Sequence, residues 1–562
     1  MSMNYHFAYI KPKSSKSNHP GQLTRSATFI FGLAACLAFP RHAWTAFSVT
    51  PGNGGYIVNN GANLVFTINS AGDMKSCKYK GMELNDTRKA SCIASGLRAS
   101  SVTATTLGNC IIIKCVSTAI APSALTHYYI AQNGVDDIYM ATYVTSEPKV
   151  GELRYIFRGQ YNVIPNGPAD SDNNGNTGAI ESKDVFGHGN GQPTSKYYGN
   201  EREKDLTVKG ATGNGIGVFI AFGNRESSSG GPFFHDIENQ GNGAGGDQEL
   251  YNYMNSGHNQ TEAVRVNVLH GPYAYCFTTG SIPAVPDLSF IAKLGLTGYV
   301  GESGRGRVVL NGIAGRDTNY TYTVGFANST AQYWVTASAG DGSCECHGMK
   351  PGVYTMTVYK GELAVWTGSA TVSAGNPATI QAITITGDPG SVATIWRIGN
   401  WDGTPLEFLN GSNLMNMHPC DVRNANWGPK TFTIGDNANT FPAVQFLGDN
   451  SPTTINFNLT SAQAAAAHTL KIGITCSHAG GRPGVRINGH ALDNPGASGQ
   501  PKSRSITIGT YRGNNTTFSW SIPAADFVPG ANALAITPIS GSSNLSLWLS
   551  ASWAYDCVEL DN

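Results

Sequence analysis

The sequence predicts an all-β protein, and three observations carry that expectation. Charged residues are only 13% of the 562, Gly numbers 68, and short apolar-polar alternations separated by Gly, Asn and Asp turns recur along the chain. In "DDIYMATYVT", Ile138, Met140, Thr142 and Val144 share one face while Tyr139, Ala141 and Tyr143 share the other, the period of two of a strand. Two packed sheets would bury both faces. The length suggests about three or four units, and the turns divide the chain into 47–292, a large β-sandwich; 293–388, a small immunoglobulin-like or fibronectin-like sandwich; and 389–562, again strand-rich. Only "TSAQAAAAHTLK" is ambiguous, a short helix or an extension of the strand "LKIGIT". The polar stretches 166–184 and 239–248 are long for loops, and such loops are usually functional.

Residues 1–46 hold five of the 37 basic residues and no Asp or Glu, leaving 32 basic against 37 acidic residues after them. That body lacks the basic footprint of a nucleic-acid binder. The basic stretch runs into 27–39, "ATFIFGLAACLAF", too short to span a bilayer and ordered like a secretory signal with cleavage after Ala46; an uncleaved anchor is the alternative. A secreted, extracellular protein without membrane attachment after cleavage is expected, and a monomer. Nine sequons and ten cysteines after the signal agree with export. Cys77, Cys92, Cys110 and Cys115 admit two bridges, Cys77 with Cys115 and Cys92 with Cys110, or another pairing. Trp396, Trp401, Trp427, Trp520, Trp548 and Trp553 crowd the last unit, either as platforms that stack on sugar rings or as sandwich core.

Several segments, in order, carry a resemblance: "SSSGGPFFHDIEN", "LYNYMNSGHNQTE", "LHGPY", "KPGVYTM", "RIGNWDG", "MHPCDVRNANWGP", "AGGRP" and "YDCVEL". Everything after the signal resembles the fungal rhamnogalacturonan endolyases, the family 4 polysaccharide lyases. The resemblance implies a large N-terminal β-sandwich, a fibronectin III-like middle domain and a C-terminal jelly roll similar to carbohydrate-binding modules. It implies rhamnogalacturonan I as the polysaccharide partner, cleaved between rhamnose and galacturonic acid by β-elimination. That chemistry needs a base for the C5 proton, neutralisation of the uronate carboxylate and a proton for the departing O4.

Carried over by motif, Lys196 in "TSKYYGNER" is the implied base, with a solvated loop lysine as the structural alternative. Free lysine holds its proton to about pH 10.4, so the role demands desolvation or nearby cations. Arg154 in "GELRYIFRG" is the implied clamp on the uronate, since a guanidinium fork suits two oxygens. Arg158 and Arg202 are further cations for substrate binding, each with a structural reading. His258 is the implied acid or polarising group, with Tyr253 as a further donor; Tyr251 and Tyr253 project to one side of a strand as a sugar-stacking wall or as core.

Two features depart from the family pattern. Phe234 stands where the resemblance implies His, with His235 displaced by one position, and a sequon at Asn259 adjoins His258. A glycan there would obstruct an open cleft, so Asn259 is expected to be unmodified or to point away. The carboxylates Asp236, Glu238, Asp247 and Glu249 permit a rival, a glycoside hydrolase using two acids. A polysaccharide-binding protein with a dead centre and a structural adhesin are the other readings. No cofactor is expected for catalysis; "DSDNNGN", 170–176, could hold a structural Ca²⁺ but lacks the EF-hand spacing.

Overall fold

The computed structural model describes residues 46–562 except 53, 119–122, 147–151, 259–261, 501–503 and 510–513. The signal reading, apart from Ala46, and the Asn259 sequon lie outside the described residues. Sheets dominate throughout, so the protein is all-β.

In the N-terminal sandwich a seven-stranded antiparallel sheet runs in the order Val208–Gly213, Ile216–Ala221, Val268–Thr278, Asp137–Val144, Leu125–Gln132, Cys110–Ser117, Ser101–Leu107. Opposite it lie a five-stranded meander that begins at Ser48–Gly52 and a four-stranded sheet in the order Asn239–Gly241, Asp247–Asn255, Leu153–Gln160, Cys92–Ile93. Alternation in Asp137–Val144 sorts side chains as the period of two requires: Ile138, Met140 and Val144 enter the inner core, while Tyr139 and Ala141 join a second cluster with Ile291 and Leu296. Both faces of the strand are thus buried, the outer one by the segment leading out of the sandwich rather than by another sheet.

The middle unit centres on a four-stranded sheet, Gln332–Thr336, Tyr322–Ala327, Gly352–Lys360 and Leu363–Val372, facing the three strands Cys344–Met349, Gly306–Leu310 and Pro377–Ile380. In the C-terminal unit two five-stranded sheets enclose one core; the first includes His468–His478 and Ser552–Asp561, the second Thr453–Leu459 and Gly530–Ile539. The ambiguous "TSAQAAAAHTLK" resolves into both alternatives. A single helical turn, Ser461–Ala464, is closed by a capping box between Thr460 and Gln463, and the chain then turns into the strand His468–His478.

One expectation is corrected here, and one open reading is decided in favour of the core. The ten described cysteines are free thiols. Cys77 and Cys115 sit in the inner core of the sandwich, whereas Cys110 belongs to its outer cluster and Cys92 takes a hydrogen bond from Arg158, so the pairing of Cys92 with Cys110 would have to cross a layer. The tryptophans are core and not sugar platforms: Trp396, Trp401, Trp427, Trp520 and Trp553 are buried, and Trp548 lies edge-on to His418 with ring centroids 5.1 Å apart. Trp401, 1% exposed, leaves its own unit to pack in the core of the middle one beside Cys557.

Candidate active site

Register places the first components. Leu153–Gln160 pairs antiparallel with Asp247–Asn255, setting Arg154 opposite Tyr253, Ile156 opposite Tyr251 and Arg158 opposite Glu249. The pleat brings these six residues to one face. Tyr251 and Tyr253 lie nearly parallel, centroids 6.0 Å apart and planes 11° apart, and the Arg154 guanidinium lies 5.9 Å from the Tyr253 ring centroid. Glu152 orients the pair, accepting from the Tyr253 hydroxyl and contacting Arg154 Nη1, both at 3.1 Å. Arg154 Nε is buried and has no partner among the described residues. An unsatisfied buried donor asks for a ligand atom or water to satisfy it.

Above this face is a cavity of about 410 Å³, lined by Arg154, Lys196, Tyr251, Tyr253 and His258 together with Glu152, Asp184, Tyr197 and Arg504. Lys196 follows the two-residue edge strand Thr194–Ser195, and its ammonium contacts Asp184 Oδ1 at 2.9 Å. Asp184 closes the hairpin between Gly178–Glu181 and Val185–Gly187, whose turn puts Ser182 at φ 56° and Lys183 at φ 110°. Two non-glycine residues in that region cost of order 1–3 kcal/mol each, so contacts around the hairpin must hold it.

His258 is oriented from behind. Its Nδ1 lies 2.8 Å from Asp236 Oδ2 and 2.9 Å from Ser256 Oγ, and Ser256 also donates to Asp236. With Nδ1–H directed at the carboxylate, Nε2 is left facing the Tyr197 hydroxyl at 3.3 Å. Burial alone would lower the His258 pKa, but the Asp236 charge and hydrogen bond outweigh it and the net shift is upward. The carboxylate shifts the opposite way: burial raises it, and His258, Ser256 and the Ile237 N–H bring it below its ordinary value. Tyr253 is driven up by burial first and then by Asp236 and Glu152, which keeps it a neutral donor.

Arg158 and Arg202 stand outside the cavity. Arg158 is spent on Glu249 at 3.0 Å, the Ala90 carbonyl at 2.9 Å and Cys92 Sγ at 3.3 Å. Arg202 pairs with Glu362 of the middle unit and donates to Met415 Sδ of the C-terminal unit. A spacing of four along the strand puts Arg158 on the face of Arg154, but there Glu249 already occupies it.

Conversely, the cavity contains groups that the sequence reading did not select: Glu152, Asp184, Tyr197 and Arg504. Asp236 was visible only as a hydrolytic acid, whereas the structure makes it the partner of His258. Of the four carboxylates proposed for hydrolysis none lines the cavity: Glu238 accepts from the Glu201 N–H, Asp247 pairs with Lys89 at 2.8 Å, and Glu249 takes Arg158 and the Tyr251 hydroxyl. Those that do line it, Glu152 and Asp184, are each paired with a cation. Burial would raise Asp184, but Lys196 and Arg504 bring it below its ordinary value, which removes the proton a general acid needs.

Family models match each of the three units. One described as rhamnogalacturonan lyase B, N-terminal, matches 47–298; domain II of polysaccharide lyase family 4 matches 304–380, and its carbohydrate-binding-module-like domain III matches 394–560. The chain belongs to polysaccharide lyase family 4. Rhamnogalacturonate lyase A of Aspergillus aculeatus is 42% identical over 525 residues, 92% of this chain and 97% of that one. Rhamnogalacturonate lyase A of Emericella nidulans is also 42% identical, over 542 residues, 95% of this chain and 99% of that one. In this family 4 chain Phe234 and His235 are both buried away from the cavity, and burial, then Arg202, lowers His235 to about 3, leaving it neutral. Among the described residues no group of three or more His, Cys, Asp or Glu is placed to hold a metal ion. In the 170–176 loop Asp172 accepts from the Tyr161 hydroxyl and the Asn174 N–H.

Proposed function

We propose that this family 4 chain is a secreted, monomeric rhamnogalacturonan endolyase that breaks the rhamnose-(1→4)-galacturonic acid bond by β-elimination. The observation that carries the proposal is convergence: Lys196, Arg154 and His258, from three separate segments, line one cavity of about 410 Å³. The names of the relatives support the substrate class.

In this reading the uronate carboxylate meets Arg154, whose buried Nε lacks a partner among the described residues. The guanidinium stabilises negative charge developing on the carboxylate as C5 loses its proton. Lys196, released from Asp184 as a neutral amine, takes that proton. The C5–H electron pair becomes the C4=C5 double bond, the C4–O4 bond breaks, and O4 leaves with its electrons. His258 supplies the proton to O4, held in orientation by Asp236. Two proton transfers balance the step, and water is not consumed. Tyr251 and Tyr253 line the cavity but are buried in a cluster with Tyr197 and Ile508, so they bound the substrate space rather than offer an open stacking platform. A Ca²⁺ ion in the 170–176 loop would be structural and takes no part in these transfers.

The test is incubation with rhamnogalacturonan I and, separately, homogalacturonan, following far-ultraviolet absorbance of the 4,5-unsaturated uronate. Absorbance should rise only with rhamnogalacturonan I and vanish in Lys196→Ala and His258→Ala. Cleavage without absorbance would indicate hydrolysis, and binding without cleavage a dead centre.

A further inference from the structure

One wall of the cavity comes from domain III. The short helix Ser505–Ile508 lies against the N-terminal sandwich, with Ile508 buried among Tyr197, Tyr251 and Tyr253 and the Tyr198 hydroxyl donating to the Thr507 carbonyl at 2.6 Å. Beside it Arg504 reaches into the cavity. Its Nη1 donates to Glu181 and its Nη2 to Asp184 Oδ2 at 2.7 Å, while the other oxygen of Asp184 holds Lys196. Glu181 is in turn gripped by Thr507 Oγ1 at 2.9 Å and His418 Nε2 at 2.8 Å, both from domain III. Three domain III side chains therefore converge on the hairpin whose turn is strained at Ser182 and Lys183.

We propose that domain III is part of the catalytic apparatus and that Arg504 is a positioning residue, bridging Glu181 and Asp184 so that the Asp184 carboxylate holds Lys196 in place and is itself shared between two cations. The inference rests on the reading of Lys196 as base. Each Nη group of Arg504 is held by a protein carboxylate, and in this proposal it acts on the reaction through Asp184. Sharing matters because an undivided carboxylate favours the ammonium, and a base must be an amine. The charged groups around Lys196 are Asp184 and Arg504 on one side and Glu152, Arg154 and His258 across the cavity. Removing Arg504 takes away one cation and frees Asp184 for Lys196 alone; both effects favour the ammonium.

The experiment uses the full chain, with steady-state kinetics on rhamnogalacturonan I across pH and thermal unfolding as the folding control. In Arg504→Gln, kcat should fall about 10- to 100-fold with KM little changed, because the base is misplaced while the substrate contacts remain. The rising limb of kcat against pH should move to higher pH. Arg504→Lys, which keeps one cation beside Asp184 without the fork, should restore the limb and part of kcat, and it remains informative if Arg504→Gln fails to fold. Wild-type kcat with an unmoved limb in folded Arg504→Gln would overturn the proposal, as would a change confined to KM, which would mean substrate contact. Lys196→Ala separates the two levels: if it still forms unsaturated product, the base assignment itself is wrong, whereas an inactive Lys196→Ala beside an indifferent Arg504→Gln defeats only the role of Arg504.

Discussion

Asp236 Oδ2 lies 2.8 Å from His258 Nδ1, joining two residues 22 positions apart behind the cavity wall. The carboxylate is 4% exposed and has Ser256 as a second donor, so its charge is directed at the imidazole rather than at solvent. This geometry fixes the tautomer and aims Nε2 forward, a job that a lone histidine on a strand end could not do.

Removing that charge should slow catalysis more than it weakens binding. Asp236→Asn is expected to lower kcat by roughly 100-fold with KM nearly unchanged, within the range typical of a lost acid. The pH profile adds a signed test. An acid works only while protonated, so activity is present below the folded-state pKa of His258 and declines as pH rises through it. Asp236 raises that pKa, and the falling limb should therefore move to lower pH in Asp236→Asn. A limb that stays in place would separate His258 from O4 protonation.

The same pair links stability to pH. His258 is shifted up from 6.5, so its contribution is fully present below about 6.5 and is lost as pH rises through the higher folded value. Asp236 is shifted down from 3.8, so its contribution is present above about 3.8 and is lost as pH falls through the lower folded value. The stability difference between wild type and His258→Gln should therefore be largest between about pH 4 and 6.5 and shrink above, which denaturant unfolding at several pH values would measure.

Arg154 and Arg158 should part company on mutation despite sharing a strand face. Arg154→Lys keeps a charge but loses the fork, and kcat/KM is expected to fall by at least 10-fold with unfolding unchanged. Arg158→Ala instead leaves Glu249 buried without its cation, a defect of about 3–5 kcal/mol in stability. Protein that stays folded should keep its KM. The opposite assignment would place Arg158 in contact with substrate.

Trp401→Ala is expected to destabilise by roughly 3–5 kcal/mol, as deletion of a buried indole usually does. Trp401 serves two units at once: it fills the middle core, and its ring lies so close to Gly473 that a β-carbon there would come within 2.4 Å of it. Calorimetry should show the middle and C-terminal units losing cooperativity together, and retention on pectin by the folded fraction should not change.

Alternation in "DDIYMATYVT" is a local property, and it sorted that strand's side chains correctly because a pleat sends neighbours to opposite faces wherever the strand lies. For the same reason the all-β class, the shared side of Tyr251 and Tyr253 and the shared side of Arg154 and Arg158 were legible in the sequence, whereas the register that brings the two pairs together was not. Motif order singled out Lys196, Arg154 and His258. Partnership was not legible, because a charge is paired by whatever the fold brings within a few ångströms. Only the tertiary structure assigned Arg158 to Glu249, Asp236 to His258, and Arg504 to Asp184 across 320 residues of chain. It also buried the tryptophans, since an indole has the same composition whether it faces a sugar or a core. Period and composition are set residue by residue along the chain, whereas burial and ion pairing belong to the packed whole.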